Sequence, residues 1–305
     1  MNKISQEIDL FLENRRAKHL SASTVNWYAQ QLSTFSRYVD ECGLPADDPD
    51  TIEAFLIAQQ KTNISESTLH ARFRAIRAFM RWYEKRSHRK RQTFDNLVDY
   101  IDAPKVAKHK PRVADPNHLK KLLMFIGSAS FADIRDKFIV RLLWSTGVRI
   151  NEACNLTLND VDLVAGFVLV RDGKGGKDRL CPFGEDFKTA YLEYLMNRPA
   201  TTCEKLLLSA GGKKSYYSVG LLPNGVRQML ERRCVDAGIQ KINPHSIRHL
   251  YAIERLNNGM ALSAVSSAMG HTSVSFTAAK YAKWVSSGLR REYDNATKNQ
   301  KNQST

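Results

Sequence analysis

Long apolar runs are missing from this chain. The longest wholly apolar stretch near its middle, LLMFI at 122–126, is far short of the roughly 20 residues a membrane-spanning helix needs. The opening MNKISQEIDLF lacks the basic start and long apolar stretch of a secretory signal. These absences argue against a membrane helix or an exported precursor, and the expectation is a soluble, cytoplasmic protein. Cysteine is sparse: the five, at 42, 154, 181, 203 and 234, are odd in number, scattered, and form no CxxC pair. That argues against a disulfide framework or a zinc site and for buried, reduced thiols. No internal repeat is visible, and low complexity is confined to the tail NATKNQKNQST.

Negative charge is also in short supply. Against 46 Lys and Arg stand 31 Asp and Glu, a formal net charge of +15 and a pI near 9.6. A surplus of that size favours a polyanionic partner, nucleic acid ahead of an anionic membrane surface. With 305 residues, 43% of them hydrophobic, the chain is globular in composition and long enough for about two domains.

Helical periodicity dominates the first hundred residues. Ile4, Ile8, Phe11 and Leu12 recur at helical steps, and Val25, Tyr28, Leu32, Phe35 and Val39 trace a second stripe between the caps of SAST and the stop at Gly43. DPDTIEAFLIAQQ reads as a shorter third helix with an acidic first turn. A fourth follows SES, with Leu69, Phe73, Ile76, Met80 and Tyr83 on its apolar face. Its other face carries Arg74, Arg77 and Arg81 at i, i+3 and i+7, with Arg72 close by, and no acidic residue stands three or four positions from Arg74 or Arg77. Like charges in a row repel one another, and a phosphate backbone relieves that repulsion while releasing counterions. These four arginines are candidate DNA contacts.

Proline-rich, basic sequence follows, and residues 102–112 are expected to be a linker. The domain expectation is a helical unit over 1–101, a second unit over 113–294 and a polar tail over 295–305. The second unit opens with the helical patterns PNHLKKLLMFIG and FADIRDKFIVRLLWSTG, followed by VRINEACNLTLNDVDL with Ile150, Ala153 and Leu156 inward. GFVLVRDGKGGKDRLCPF then reads as a β-hairpin around a Gly-Lys turn. That turn is not a nucleotide-binding P-loop, because Arg171 stands where the first glycine belongs and Asp178 where the hydroxyl belongs. A lysine at its tip, Lys174 or Lys177, can reach a phosphate instead.

In NPHSIRH, Asn243 suits an N-cap and Pro244 the first helical position, which sets His245, Arg248 and His249 on one face. Zinc-protease spacing would need Glu after the first histidine, but Ser246 is there, and Arg248 opposes a cation. An arginine flanked by imidazoles near a helix N-terminus suits an anion such as a phosphodiester.

Taken in order, TGVRINEA with Arg149, GKGGKDR with Lys174, HSIRH with His245 and Arg248, MGHTS with His271 and AAKYAKW with Tyr281 resemble the tyrosine recombinases. This is the phage-integrase family, which includes Xer recombinases, lambda integrase and Cre. The resemblance spans nearly the whole chain. It implies a mainly α fold with a small β-hairpin or sheet, a helical core-binding domain at 1–101 and a mixed α/β catalytic domain at 113–294. It also implies that Arg149 and Arg248 clamp the scissile phosphate, that His245 and His271 assist proton transfer and phosphate binding, and that Glu152 supports the site from beside Arg149. Lys174 would then be the general acid for the 5′-oxygen, and Tyr281 the nucleophile forming a 3′-phosphotyrosyl link.

No metal or other cofactor is implied. The implied partners are double-stranded DNA carrying recombination sites and three further copies of the chain in a synaptic tetramer, with room for accessory proteins, in a prokaryotic or mobile-element, nucleoid-associated setting. Tyr281 lies ten residues after His271, where many relatives have nine. Tyr293 is the nearby rival. A type IB topoisomerase-like relaxase and a catalytically inactive DNA-binding regulator are the alternative functions.

Overall fold

A computed structural model of the chain describes residues 3–86, 101–107, 112–171, 178–209, 219–271 and 273–281. The chain divides into two compact units, Met1–His109 and Lys110–Thr305. The division falls within the expected linker segment 102–112.

The first unit is a bundle of α1 (Lys3–Ala17), α2 (Ala22–Cys42), α3 (Pro49–Gln60) and α4 (Glu66–Arg86). The apolar stripes read from the sequence line its core, with Phe11, Leu32, Phe35 and Ile76 fully buried, and Ile52, Phe55 and Phe79 are fully buried with them. Phe11 sits at the centre, edge-on to Tyr28, Phe79 and Trp82 at 5.2–5.6 Å. The expected helix ends are also in place. The Ser21 hydroxyl accepts from the Thr24 amide at 3.3 Å, and Gly43 closes α2 in the left-handed region at φ 65°.

Two features differ from the sequence reading. Residues 101–107 are tied to α4 rather than free, with the Ala107 amide donating to Glu66 at 2.7 Å and His70 Nδ1 bonded to the Pro104 carbonyl at 3.0 Å. The arginine row on α4 is unevenly exposed. Arg74 and Arg81 are exposed, whereas Arg72 and Arg77 are half-buried, and Arg74 lies over the Trp27 ring at 5.8 Å.

The second unit is also mostly helical: α5 (Pro116–Phe125), α6 (Phe131–Thr146), α7 (Ile150–Asn155), α8 (Glu185–Asn197), α9 (Pro223–Asp236), α10 (Pro244–Asn257) and α11 (Leu262–Met269). Residues 274–281 form a further helical segment. Buried Phe138, Ile139 and Leu142 place α6 in the core, where Phe138 stacks on Tyr194 at 4.8 Å.

The expected hairpin is present as β2 (Phe167–Val170) and β3 (Arg179–Pro182), antiparallel, with Val170 opposite Arg179. A strand not anticipated, β1 (Val161–Asp162), pairs with β2 and makes the sheet three-stranded. Two residues carry too short a pattern to read as a strand. The hairpin tip with Lys174 and Lys177 lies outside the described residues, as does Tyr293. Among the described residues no helix is long and apolar enough to cross a membrane. Cys154, Cys181 and Cys234 are buried free thiols as expected, but Cys42 is exposed and Cys203 half-buried.

Candidate active site

Four chain segments build the site. The first is the junction between α6 and α7. Gly147 ends α6 in the left-handed region at φ 63°, where a Cβ would stand 2.3 Å from the Tyr251 ring; only glycine fits there. Arg149 follows as the N-cap of α7, and Glu152 reaches back to accept from its amide at 2.7 Å. This is the carboxylate half of a capping box, and it explains why Arg-x-x-Glu folds as a unit.

Glu152 does more than cap. Its two oxygens also accept from Arg149 Nη1 at 2.9 Å and from both terminal nitrogens of Arg179, at 3.0 and 2.6 Å. Burial by itself would raise the Glu152 pKa. The hydrogen bonds from Arg179 and from Arg149 outweigh it and hold the value at about 2.

The second segment is α10. The Asn243 side chain accepts from the Ser246 amide at 2.8 Å, and Pro244 occupies the first turn, as the sequence indicated. His245 is exposed, while Arg248 and His249 are buried. Arg248, only 2% exposed, donates to the carbonyls of Gly147 and Met269. Burial, reinforced by neighbouring Arg149, lowers its pKa to about 10, so it is still a cation at neutral pH.

The third segment is the end of α11, which three guanidiniums grip. Arg179 Nε donates to the Ala268 carbonyl at 2.8 Å, Arg248 to that of Met269, and Arg149 Nη2 to that of Gly270 at 3.0 Å. These carbonyls close a helix whose C-terminus is partially negative. The three cations are thereby fixed in place, and so is the turn that carries His271.

Helical segment 274–281 is the fourth. His271 Nδ1 lies 2.6 Å from the Thr277 hydroxyl, which itself donates to Ser266 at 3.0 Å. The Thr277 hydrogen is thus committed, so His271 Nδ1 carries a hydrogen and Nε2 is left as an acceptor. Tyr281 is 0% exposed, and its hydroxyl lies 2.7 Å from His249 Nδ1. Burial, partly countered by Arg248, pushes its pKa up to about 12. Burial first, then nearby cations including Lys280 and Arg248, depresses His249 to about 3 and His271 to about 4.

A cleft of about 530 Å³ opens over these groups, lined by Arg149, Asn151, Arg227, Asn243, His245 and Arg248. Of the residues singled out in the sequence, Arg149, His245 and Arg248 share this cleft. Glu152 bonds Arg149, Tyr281 packs against α10, and His271 is held by Thr277 on the following helical segment. Sequence reading missed Arg179, Lys280 and the contact made by His249. Arg179 had one available signal: it ends the GKGGKDR motif and opens β3 at a paired position. Among the described residues no three His, Cys, Asp or Glu side chains converge as metal ligands.

The depressed His249 pKa has a measurable consequence. Its folded value, about 3, lies below the unfolded value near 6.5. Between those values the unfolded chain binds the extra proton, so stability falls as pH falls through that window. By pH 5 the loss from this one group is on the order of 2 kcal/mol. The melting temperature of the wild type is expected to drop more between pH 7 and pH 5 than that of His249→Asn. Equal drops would contradict the assignment.

Fold and site together define a two-unit, mainly helical protein with a cleft lined by arginines and a buried tyrosine packed against the helix that supplies one of them. The phage integrase family matches residues 112–286, and the phage integrase N-terminal SAM-like domain matches residues 8–87. The chain belongs to the phage integrase family, the tyrosine recombinases; it is a site-specific DNA breaking and rejoining enzyme. It is 31% identical over 286 residues to tyrosine recombinase XerC of Roseiflexus castenholzii, covering 90% of this chain and 88% of that one. It is 28% identical over 276 residues to tyrosine recombinase XerA of Pyrococcus furiosus, with 90% and 88% covered.

Among solved structures, the Tn1549 transposon integrase in complex with transposon right-end DNA superposes with a TM-score of 0.73 at 19% identity, over 95% of this chain and 99% of that one. A lambda integrase dimer bound to a COC′ core site gives 0.71 at 15% identity, with 90% and 96% covered. At these identities the two structures speak for the fold alone.

Proposed function

We propose that this recombinase cleaves DNA by attack of the Tyr281 hydroxyl on a scissile phosphate held between Arg149 and Arg248. The observation that carries this reading is the cleft itself. Two guanidiniums anchored to the end of α11 face the same opening as His245, and Tyr281 lies against the same helix that supplies Arg248. A phosphodiester is an anion that resists nucleophiles, so its cleavage depends on charge neutralisation and positioning. Guanidiniums offer paired donors and a charge that does not titrate in the working range.

In the proposed step the Tyr281 oxygen bonds to phosphorus and gives up its proton to His245 or His271, the bond to the 5′-oxygen breaks, and Lys174 donates the proton that oxygen needs. His245 and His271 assist with protons and phosphate contacts, and Glu152 keeps Arg149 in place. The product is a 3′-phosphotyrosyl link that retains the phosphodiester energy, so rejoining needs no nucleotide. Residues 113–294 are the catalytic domain, residues 1–101 the core-binding domain on the far side of the 102–112 linker, and 295–305 a polar tail. Strand exchange then runs through a Holliday junction within a homotetramer on two synapsed DNA sites, with accessory proteins joining where the site requires them, on nucleoid DNA.

Candidate sites are the DNA segments flanking the gene. Plasmids carrying two such segments should yield recombinants of defined size in excess EDTA and without nucleotide. Relaxation without exchange would favour a type IB topoisomerase-like activity instead. DNA binding with neither would leave an inactive regulator.

The α4 arginines provide a separate test. Replacing Arg74, Arg77 and Arg81 is expected to weaken DNA binding at every sequence. It should also flatten the dependence of log Kd on log salt by about one unit per lost phosphate contact. Arg72, half-buried on the same helix, stands two positions before Arg74 and so is turned toward another face. An unchanged salt slope would return the row to an ordinary solvated surface.

A further inference from the structure

We propose that His249 is a positioning residue for Tyr281, seating its phenol on the helix that also carries the phosphate-binding side chains. The inference rests on the reading of Tyr281 as the nucleophile and names what aims it. His249 Nδ1 lies 2.7 Å from the Tyr281 hydroxyl, and the rings meet edge-on, 5.8 Å between centroids. The contact is closed to solvent: Tyr281 is 0% and His249 3% exposed. The tyrosine belongs to a buried cluster with Tyr251, Ala252, Leu256, Val265 and Met269, an apolar socket drawn from α10 and α11. His249 also touches His245, 4.6 Å between ring centroids.

A phenol is the stronger acid and a neutral imidazole the stronger acceptor, so Tyr281 donates and Nδ1 accepts. The protonation states agree, since His249 is neutral and Tyr281 protonated across the physiological range. The helix turns this contact into a positional relation. His245, Arg248 and His249 lie at i, i+3 and i+4, one face of α10. The seat of the nucleophile and the phosphate clamp are therefore fixed by a single rigid element, one residue apart. A buried core histidine of no consequence would satisfy itself on any polar neighbour. This one holds the reacting oxygen.

Two measurements decide it. On a nicked suicide substrate at saturating DNA, His249→Leu should slow adduct formation roughly 10- to 100-fold, as expected of a displaced nucleophile, with Kd for DNA unchanged. His249→Asn places an amide oxygen where Nδ1 stood and should recover most of that rate. His249→Gln, whose amide reaches the other ring nitrogen's position, should not. Equal losses in the Asn and Leu variants would overturn the proposal.

The second measurement uses the protein without DNA. Melting temperatures of His249→Leu, Tyr281→Phe and the double variant should be strongly non-additive, because the two side chains are in direct contact and each single change removes the same buried hydrogen bond. Additive shifts would overturn the seat. If the wild type formed no adduct at all, the nucleophile reading would fail, and this thermal cycle would still judge the contact.

Discussion

Tyr281→Phe is expected to bind recombination-site DNA at wild-type strength and to form no covalent adduct on a suicide substrate. The substitution removes one oxygen from a side chain that is wholly buried, so the socket of Tyr251, Leu256, Val265 and Met269 stays filled. The arginines proposed to neutralise the phosphate, Arg149 and Arg248, are anchored elsewhere, on Glu152 and on the end of α11, so affinity should hold. The cost to folding is that His249 Nδ1 loses this partner in a dry site, roughly 1–3 kcal/mol, or a few degrees in melting temperature. Binding and fold persist while chemistry vanishes. An adduct surviving in the variant, read on a denaturing gel, would move the nucleophile elsewhere, with Tyr293 first in line.

Lys174→Ala is expected to slow cleavage by the roughly 10²–10⁴-fold typical of a lost general acid. The lysine itself lies outside the described residues, but the hairpin that carries it is described down to its last pair, Val170 opposite Arg179. Arg179 in turn is locked to Glu152 by two hydrogen bonds. The base of the hairpin is thus fixed to the same carboxylate that fixes Arg149. If the lysine protonates the departing 5′-oxygen, a substrate with sulfur at that bridging position should restore most of the rate, because a thiolate leaves without a proton. Lys177→Ala should show neither the loss nor the rescue. Persistent impairment of Lys174→Ala on the sulfur substrate would assign the lysine to charge or positioning.

Much of this arrangement was legible in the sequence, for physical reasons that differ from residue to residue. The first unit could be read because its core obeys a helical period: Phe11, Leu32, Phe35, Phe73 and Ile76 are buried where the spacing put them. The α10 face could be read because Asn243 and Pro244 fix the start of the helix, and from that start the phase of His245 and Arg248 follows. Glu152 could be read because a capping carboxylate acts at a fixed three-residue distance.

What could not be read depends on contacts between distant segments. The carbonyls of Ala268, Met269 and Gly270 have no identity in a sequence, yet they hold three of the arginines. His249 showed its face but not its partner, because Tyr281 reaches it only after α11 and the following turn have folded back across 32 residues. The uneven cover of the α4 arginines, with Arg72 and Arg77 half-buried, likewise depends on packing that periodicity does not contain.

The chemistry can be read directly from the wild-type adduct. Trapped on a suicide substrate and digested with protease and nuclease, it should leave a peptide containing Tyr281 joined to a nucleotide through a 3′-phosphate, with a free 5′-hydroxyl on the released strand. A nucleotide carried by any other peptide, or a link through a 5′-phosphate, would contradict the account.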